Sequence, residues 1–105
     1  MSFPSHPAVS LLSELLAIPS PPGREGRMAA FLRNKIHQTG FSAETDPAGN
    51  VLVRLNPNAS GRPVILAAHM DEIALVVTKI EPDGRLRITR SGGMMPFKLG
   101  ERIVD

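Results

Sequence analysis

The sequence contains no cysteine, tryptophan or tyrosine, and four phenylalanines are its only large aromatic residues. Without cysteine the chain can form neither a disulfide framework nor a thiolate metal site nor a thiol nucleophile. With so few aromatic rings it has no stacking platform for the bases of a nucleic acid. These absences exclude cysteine-based chemistry, and we expect a protein of the reducing cytoplasm.

The charge balance argues against nucleic acid as a partner, and the short apolar runs argue against a membrane. Twelve basic residues against ten acidic ones leave a net charge of +2, which is too small for a nucleic-acid-binding surface. The longest apolar runs, Val64–Ala68 and Ile73–Val77, are far shorter than a membrane span. We therefore expect no nucleic acid and no membrane as partners.

The first forty residues predict two helices. Pro7 suits the first turn of a helix, and apolar residues recur at helical spacing as far as Leu16. Prolines and a glycine within residues 19–23 end this helix and form a rigid loop. A second helix is predicted over about 25–39, with Gly40 just past its end. The apolar stripe of this second helix consists of Met28, Phe31, Leu32 and Ile36.

The rest of the chain predicts strands. They are expected over 41–45, 50–55, 63–68, 73–81, 86–90 and, briefly, 102–104. A turn at 46–49 would join the first two of these strands. A turn at 82–84 would join 73–81 to 86–90 as a hairpin. The run 63–68 is apolar throughout, which is typical of a strand buried on both faces. The pattern predicts an α/β fold in which helices flank a mixed sheet.

The candidate site follows the predicted buried strand directly. His69 would lie at the carboxyl end of that strand, which is the edge where open α/β sheets bind ligands. Asp71 is two residues further on, so both side chains would point the same way in an extended chain. A neutral imidazole can bind zinc while a neighbouring carboxylate fixes its orientation. The alternative is an ordinary polar strand end, because His-x-Asp is a weak motif in isolation.

Other polar residues offer weaker candidates. His6 and His37 are better explained as solvent-facing, on the N-terminal arm and the second helix. Arg85 and Arg87 would share one face of the hairpin, as a solvated face or as a contact for an acidic partner. A nucleophilic serine is not indicated, because no Gly-x-Ser-x-Gly elbow occurs.

Several motifs, in this order, resemble one peptidase family. They are Leu11-Leu12-Ser13-Glu14-Leu15, Ile18-Pro19-Ser20-Pro21-Pro22-Gly23-Arg24-Glu25, Asp46-Pro47-Ala48-Gly49-Asn50-Val51, Leu66-Ala67-Ala68-His69-Met70-Asp71-Glu72-Ile73, Gly92-Gly93 and Leu99-Gly100-Glu101-Arg102. Together they resemble the amino-terminal part of the M42 family of dinuclear metallo-aminopeptidases, the glutamyl and deblocking type. The resemblance runs from about Leu11 to Val104.

The resemblance implies a fold and a domain organisation. The catalytic domain of the family is a helix-flanked mixed sheet of the dinuclear zinc aminopeptidase type, with an inserted β-rich domain. Residues 1–91 would be the N-terminal portion of the catalytic domain, and 92–105 the incomplete start of the insertion. The family also forms homo-oligomers, so a homo-oligomer is expected here.

The resemblance also implies a chemistry. Two divalent metal ions, zinc or cobalt, would activate water to release the N-terminal residue of a peptide substrate. His69 matches a histidine that ligates one metal, and Asp71 matches a catalytic-site aspartate that supports the site. The remaining ligands and the general base lie downstream in the family, so we expect the 105-residue chain to be inactive alone. The alternative is a non-catalytic remnant that self-associates or binds a partner through unpaired strand edges.

Overall fold

The structure, a computed structural model, describes residues 6–93 and 95 and has an α/β composition. Its elements are α1 (Pro7–Leu16), α2 (Gly26–Gln38), β1 (Ala43–Thr45), β2 (Val51–Val53), β3 (Ala74–Ile80) and β4 (Leu86–Ser91). The strands form two antiparallel sheets of two strands each, β1 with β2 and β3 with β4. The predicted strand over 102–104 and most of the predicted insertion lie outside the described residues.

The two predicted helices are confirmed, and their ends have identifiable causes. Nδ1 of His6 accepts a hydrogen bond from the amide of Ala8 at 3.2 Å, which caps the start of α1. Helix α2 ends where Gly40 adopts a positive φ of 85°, a conformation that glycine adopts without steric cost. A salt bridge of 2.6 Å between Lys35 Nζ and Glu14 Oε2 joins the two helices.

The first strand pair is held by the predicted turn at Asp46. The amide of Gly49 donates to the carbonyl of Asp46 at 2.9 Å, and Gly49 has a φ of 90°. Oδ1 of Asp46 accepts from the amides of Ala48 and Asn50, both at 2.9 Å. This pattern is an Asx turn, in which an aspartate side chain satisfies backbone donors that the turn leaves unpaired.

The second strand pair forms the predicted hairpin. Strands β3 and β4 pair from Ala74 opposite Ser91 to Ile80 opposite Leu86, with an irregularity between Val77 and Lys79. The amide of Gly84 donates to the carbonyl of Glu81 at 2.9 Å and closes the turn.

The predicted strand over 63–68 is wrong, because these residues form neither helix nor strand. Val64, Ile65 and Leu66 are 89 %, 81 % and 91 % exposed. A strand needs a hydrogen-bonded neighbour, and both described sheets pair other segments. A mixed sheet is likewise not seen among the described residues, where both strand pairs are antiparallel.

Packing within the described ranges 6–93 and 95 is sparse. Met28 on α2, at 7 % exposure, is the buried apolar residue, and Ser20 is the buried polar one. The radius of gyration is 18.5 Å, against about 13 Å for a globular domain of this length. Neither α1 nor α2 is long and apolar enough to cross a bilayer.

Candidate functional site

His69 and Asp71 lie together in the irregular segment that precedes β3. Nδ1 of His69 is 2.8 Å from the carbonyl oxygen of Asp71 and 3.1 Å from its Oδ1. The sequence predicted only that the two side chains would point the same way in an extended chain. In the structure they are in contact, although the segment is not a strand. A single residue contacts the imidazole through both its backbone and its carboxylate.

These contacts determine which ring nitrogen of His69 is available. Both atoms that face Nδ1 are hydrogen-bond acceptors, so Nδ1 must carry the hydrogen and donate it. In the neutral imidazole the lone pair is then on Nε2. The side chain of His69 is 82 % exposed, so the ring is accessible. A histidine held in this way has the arrangement that metal-binding histidines adopt, with one nitrogen anchored and the other free.

The described residues do not form a complete metal site. Within 6–93 and 95, no group of three or more His, Asp or Glu side chains is placed to hold a metal ion. Of the other two histidines, His6 caps the start of α1 and His37 lies on α2. Both are exposed, as predicted. A catalytic zinc takes about three protein ligands, so His69 would fill one position only.

Sequence reasoning missed a third residue, Ser20, which contacts the segment carrying the site. Its hydroxyl donates to the carbonyl of Met70 at 2.8 Å, and its carbonyl accepts from the amide of Glu72 at 2.9 Å. Ser20 is 1 % exposed. The available signal was its position between Pro19 and Pro21, which predicted a rigid loop without indicating what that loop would hold.

The hairpin carries a local charge cluster around Glu81. Lys79 Nζ donates to Oε2 of Glu81 at 2.7 Å, and Arg87 donates to Oε1 from Nη2 at 2.9 Å. These hydrogen bonds, first from Lys79 and then from Arg87, hold the pKa of Glu81 below its usual range. Arg85 pairs with Asp83 at 2.7 Å. Both arginines thus have acidic partners within the hairpin, which favours the solvated face over an external acidic partner.

The Asp46 turn carries the second perturbed carboxylate. Asn50 Nδ2 donates to Asp46 Oδ2 at 2.7 Å, and backbone amides of the turn bond to Oδ1. The side chain of Asn50 is the main cause, followed by its backbone amide, of a pKa of Asp46 below its usual range. Partial desolvation acts in the opposite direction. This carboxylate stabilises a turn and is not part of the candidate site.

Comparison with known proteins places the chain among peptidases. A family model described as M42 glutamyl aminopeptidase matches residues 49–105, which include His69 and Asp71. The glutamyl aminopeptidase of Lactococcus lactis is 31 % identical over 84 residues, which cover 79 % of this chain and 24 % of that protein. The lysyl aminopeptidase of Pyrococcus furiosus is 43 % identical over 54 residues, covering 51 % and 15 %. The cytosol non-specific dipeptidase of Escherichia coli is 31 % identical over 72 residues, covering 65 % and 15 %.

These matches establish the family. The family model covers more than half of the sequence, so the chain belongs to the M42 glutamyl aminopeptidase family. The name of its Lactococcus relative supports a peptidase function for the family. The chain spans about a quarter or less of the length of these curated relatives.

Proposed function

We propose that this chain supplies one part of a metal-dependent aminopeptidase, which hydrolyses the N-terminal residue from peptides. The observation that carries the proposal is the anchored imidazole of His69, whose Nδ1 is held by Asp71 while Nε2 is left for a metal. Membership of the M42 family supports it independently. A cytoplasmic location is part of the proposal, and the absence of cysteine is compatible with it.

In this proposal each of the two residues has a distinct role. His69 holds one of two divalent ions, zinc or cobalt, through Nε2. Asp71 fixes the tautomer and the orientation of the ring, and its negative charge makes the imidazole a better ligand. When bound, the ions supply Lewis acidity that polarises the peptide carbonyl and acidifies water.

We also propose that the 105-residue chain is inactive by itself. One histidine cannot hold two ions, and the described residues contain no group of three candidate ligands. The relatives that match are about four or more times longer than the matched segment. The remaining ligands and the general base would then come from polypeptide that this sequence does not include.

A chimera tests the proposed role of His69. The matching 84-residue segment of the Lactococcus lactis glutamyl aminopeptidase is replaced by its counterpart from this chain. Release of N-terminal residues from chromogenic aminoacyl substrates is then measured with and without zinc or cobalt. We expect metal-dependent turnover, and a loss in His69→Ala that exceeds the roughly 10- to 100-fold cost of losing an outer partner of a ligand.

The matched control is His37→Ala, which removes an exposed histidine of α2 and should leave turnover unchanged. Full metal-dependent activity in the His69→Ala chimera would contradict the proposal. So would a chimera that folds like the parent enzyme but has no activity.

A second candidate function, self-association, is favoured by the exposed segment Val64–Leu66. Three consecutive apolar side chains are more than 80 % exposed, and the segment has no strand partner among residues 6–93 and 95. Unpaired backbone next to exposed apolar side chains favours pairing with another chain. The occupant we propose is a second copy of this chain, paired along the same segment.

Sedimentation over a range of concentrations tests this second function. A concentration-dependent oligomer that dissociates in Ile65→Glu would support it. The matched control is Leu55→Glu, which places the same charge at an exposed apolar residue outside the segment. A monomer at all concentrations, or an oligomer that both variants weaken equally, would contradict it.

A further inference from the structure

Ser20 is the most completely buried residue in the described part of the chain, at 1 % exposure. Burial of a hydroxyl is unfavourable unless the group finds a hydrogen-bond partner. The partner here is the carbonyl of Met70, which accepts from Oγ of Ser20 at 2.8 Å across fifty residues of sequence. The loop after α1 is thereby tied to the segment that carries the candidate site.

A second hydrogen bond of Ser20 is made to the residue on the other side of Asp71. The amide of Glu72 donates to the carbonyl of Ser20 at 2.9 Å. One residue therefore holds the chain on both sides of Asp71, at Met70 through its side chain and at Glu72 through its backbone. Because Asp71 in turn accepts from Nδ1 of His69, the position of the imidazole depends on Ser20 through two consecutive contacts.

The prolines on either side of Ser20 restrict the backbone conformation of the loop. The ring of each proline fixes its own φ, and the residue before a proline is restricted to extended conformations. Pro19 and Pro21 flank Ser20, so little conformational freedom is left to lose when the two hydrogen bonds form. The loop presents a donor and an acceptor in a nearly fixed arrangement.

We propose that Ser20 is a positioning residue for His69, acting through Asp71, and this role rests on the proposed function of His69 as a metal ligand. Ser20 does not touch the metal or the substrate in this account. It fixes the backbone of Asp71, whose carbonyl and carboxylate oxygens both face Nδ1, and so leaves Nε2 free.

The test uses the full chain and nitrogen-15 NMR of the His69 imidazole at about pH 8. Ser20→Ala removes the hydroxyl, Ser20→Thr keeps one, and the control Ser13→Ala removes a hydroxyl that donates to the carbonyl of Val9 within α1. The first readout is the fraction of the Nδ1–H tautomer without metal. The second is the zinc concentration that half-saturates the shift of the His69 signals.

We expect Ser20→Ala to lower the Nδ1–H fraction and to raise the half-saturating zinc concentration by about threefold. This is less than the roughly 10- to 100-fold typical of losing a direct partner of a ligand, as in Asp71→Ala. Ser20→Thr should restore both values at least in part, and Ser13→Ala should match the unmodified chain.

An unchanged tautomer in Ser20→Ala would overturn the proposal. So would a change that also moves the amide signals of the β3–β4 hairpin and that Ser20→Thr does not rescue, because Ser20 would then be merely structural. Metal-dependent turnover that persists in the His69→Ala chimera would overturn the role of His69 as a ligand. The metal-free tautomer comparison would still decide the link from Ser20 to His69, so the two failures are distinguishable.

Discussion

Gly92 leaves no room for a side chain beside Ile73, the residue that joins the candidate site to β3. A Cβ added to Gly92 would lie 3.2 Å from Cγ2 and 3.4 Å from Cα of Ile73, and Gly92 has a φ of 86°. This close approach brings the end of the β3–β4 hairpin against the segment that follows Asp71. Ile73 and Gly92 therefore lie against each other just beyond the pair Ala74–Ser91 of the hairpin.

Replacing this glycine should destabilise the hairpin. In Gly92→Ala the positive φ costs about 1–2 kcal/mol, and the contact with Ile73 adds to that cost. The measurement is hydrogen exchange of the β3 and β4 amides. Gly93→Ala is the matched control, because an added Cβ there meets nothing within 4 Å and should change stability by less than about 0.5 kcal/mol. Equal effects of the two substitutions would contradict the packing described.

The Asp46 turn should weaken in acid. A carboxylate whose folded pKa lies below its ordinary value of 3.8 contributes stability that is complete above that value. The contribution is lost as the pH falls through the lower, folded pKa. We expect the amide signals of Ala48 and Asn50 to move together with a midpoint below 3.8.

Two variants identify the titrating group. Asp46→Asn should abolish this transition, because the amide keeps an acceptor but does not titrate in this range. Glu44→Gln changes an exposed carboxylate of the neighbouring strand and should leave the transition in place. A transition that survives in Asp46→Asn would show that another group controls the turn.

Glu81 should stabilise the hairpin through its charge. It faces both Lys79 and Arg87, so Glu81→Gln leaves two cations without their shared partner. We expect hairpin amides to exchange faster by at most a few-fold at neutral pH, as for exposed ion pairs. The difference should shrink in 1 M salt, where the screening length is about 3 Å.

The control for this charge effect is Glu14→Gln, which breaks the salt bridge between the two helices and should not alter hairpin exchange. The pH dependence gives an independent check. Because the pKa of Glu81 lies below its ordinary value of 4.5, its contribution should persist at pH 4.5 and above and disappear at lower pH. A salt-independent difference would point to packing instead of charge.

Much of the local structure could be predicted, because it depends on neighbours in sequence. The start of α1 follows from Pro7, the end of α2 from Gly40, and the first turn from Asp46. The approach of His69 to Asp71 is also local, since only Met70 separates them. Each of these features is determined by a few adjacent residues.

The failures concern contacts between distant segments. The run 63–68 has the composition of a buried strand, but a strand forms only where another chain segment satisfies its backbone. The bond from Ser20 to Met70 spans fifty residues, and no periodicity in the sequence indicates it. The prolines predicted a rigid loop, but the contact of this loop with Met70 is seen only in the structure.

The most direct test of the account is hydrolysis of a panel of chromogenic aminoacyl substrates by the purified 105-residue chain, with and without zinc or cobalt. The Lactococcus chimera serves as the positive control and His69→Ala as the matched variant. We expect no metal-dependent turnover by the chain alone, because His69 is proposed as a single ligand and residues 6–93 and 95 hold no group of three candidate ligands. Metal-dependent turnover that His69→Ala abolishes would contradict it and would show that this chain assembles the whole site.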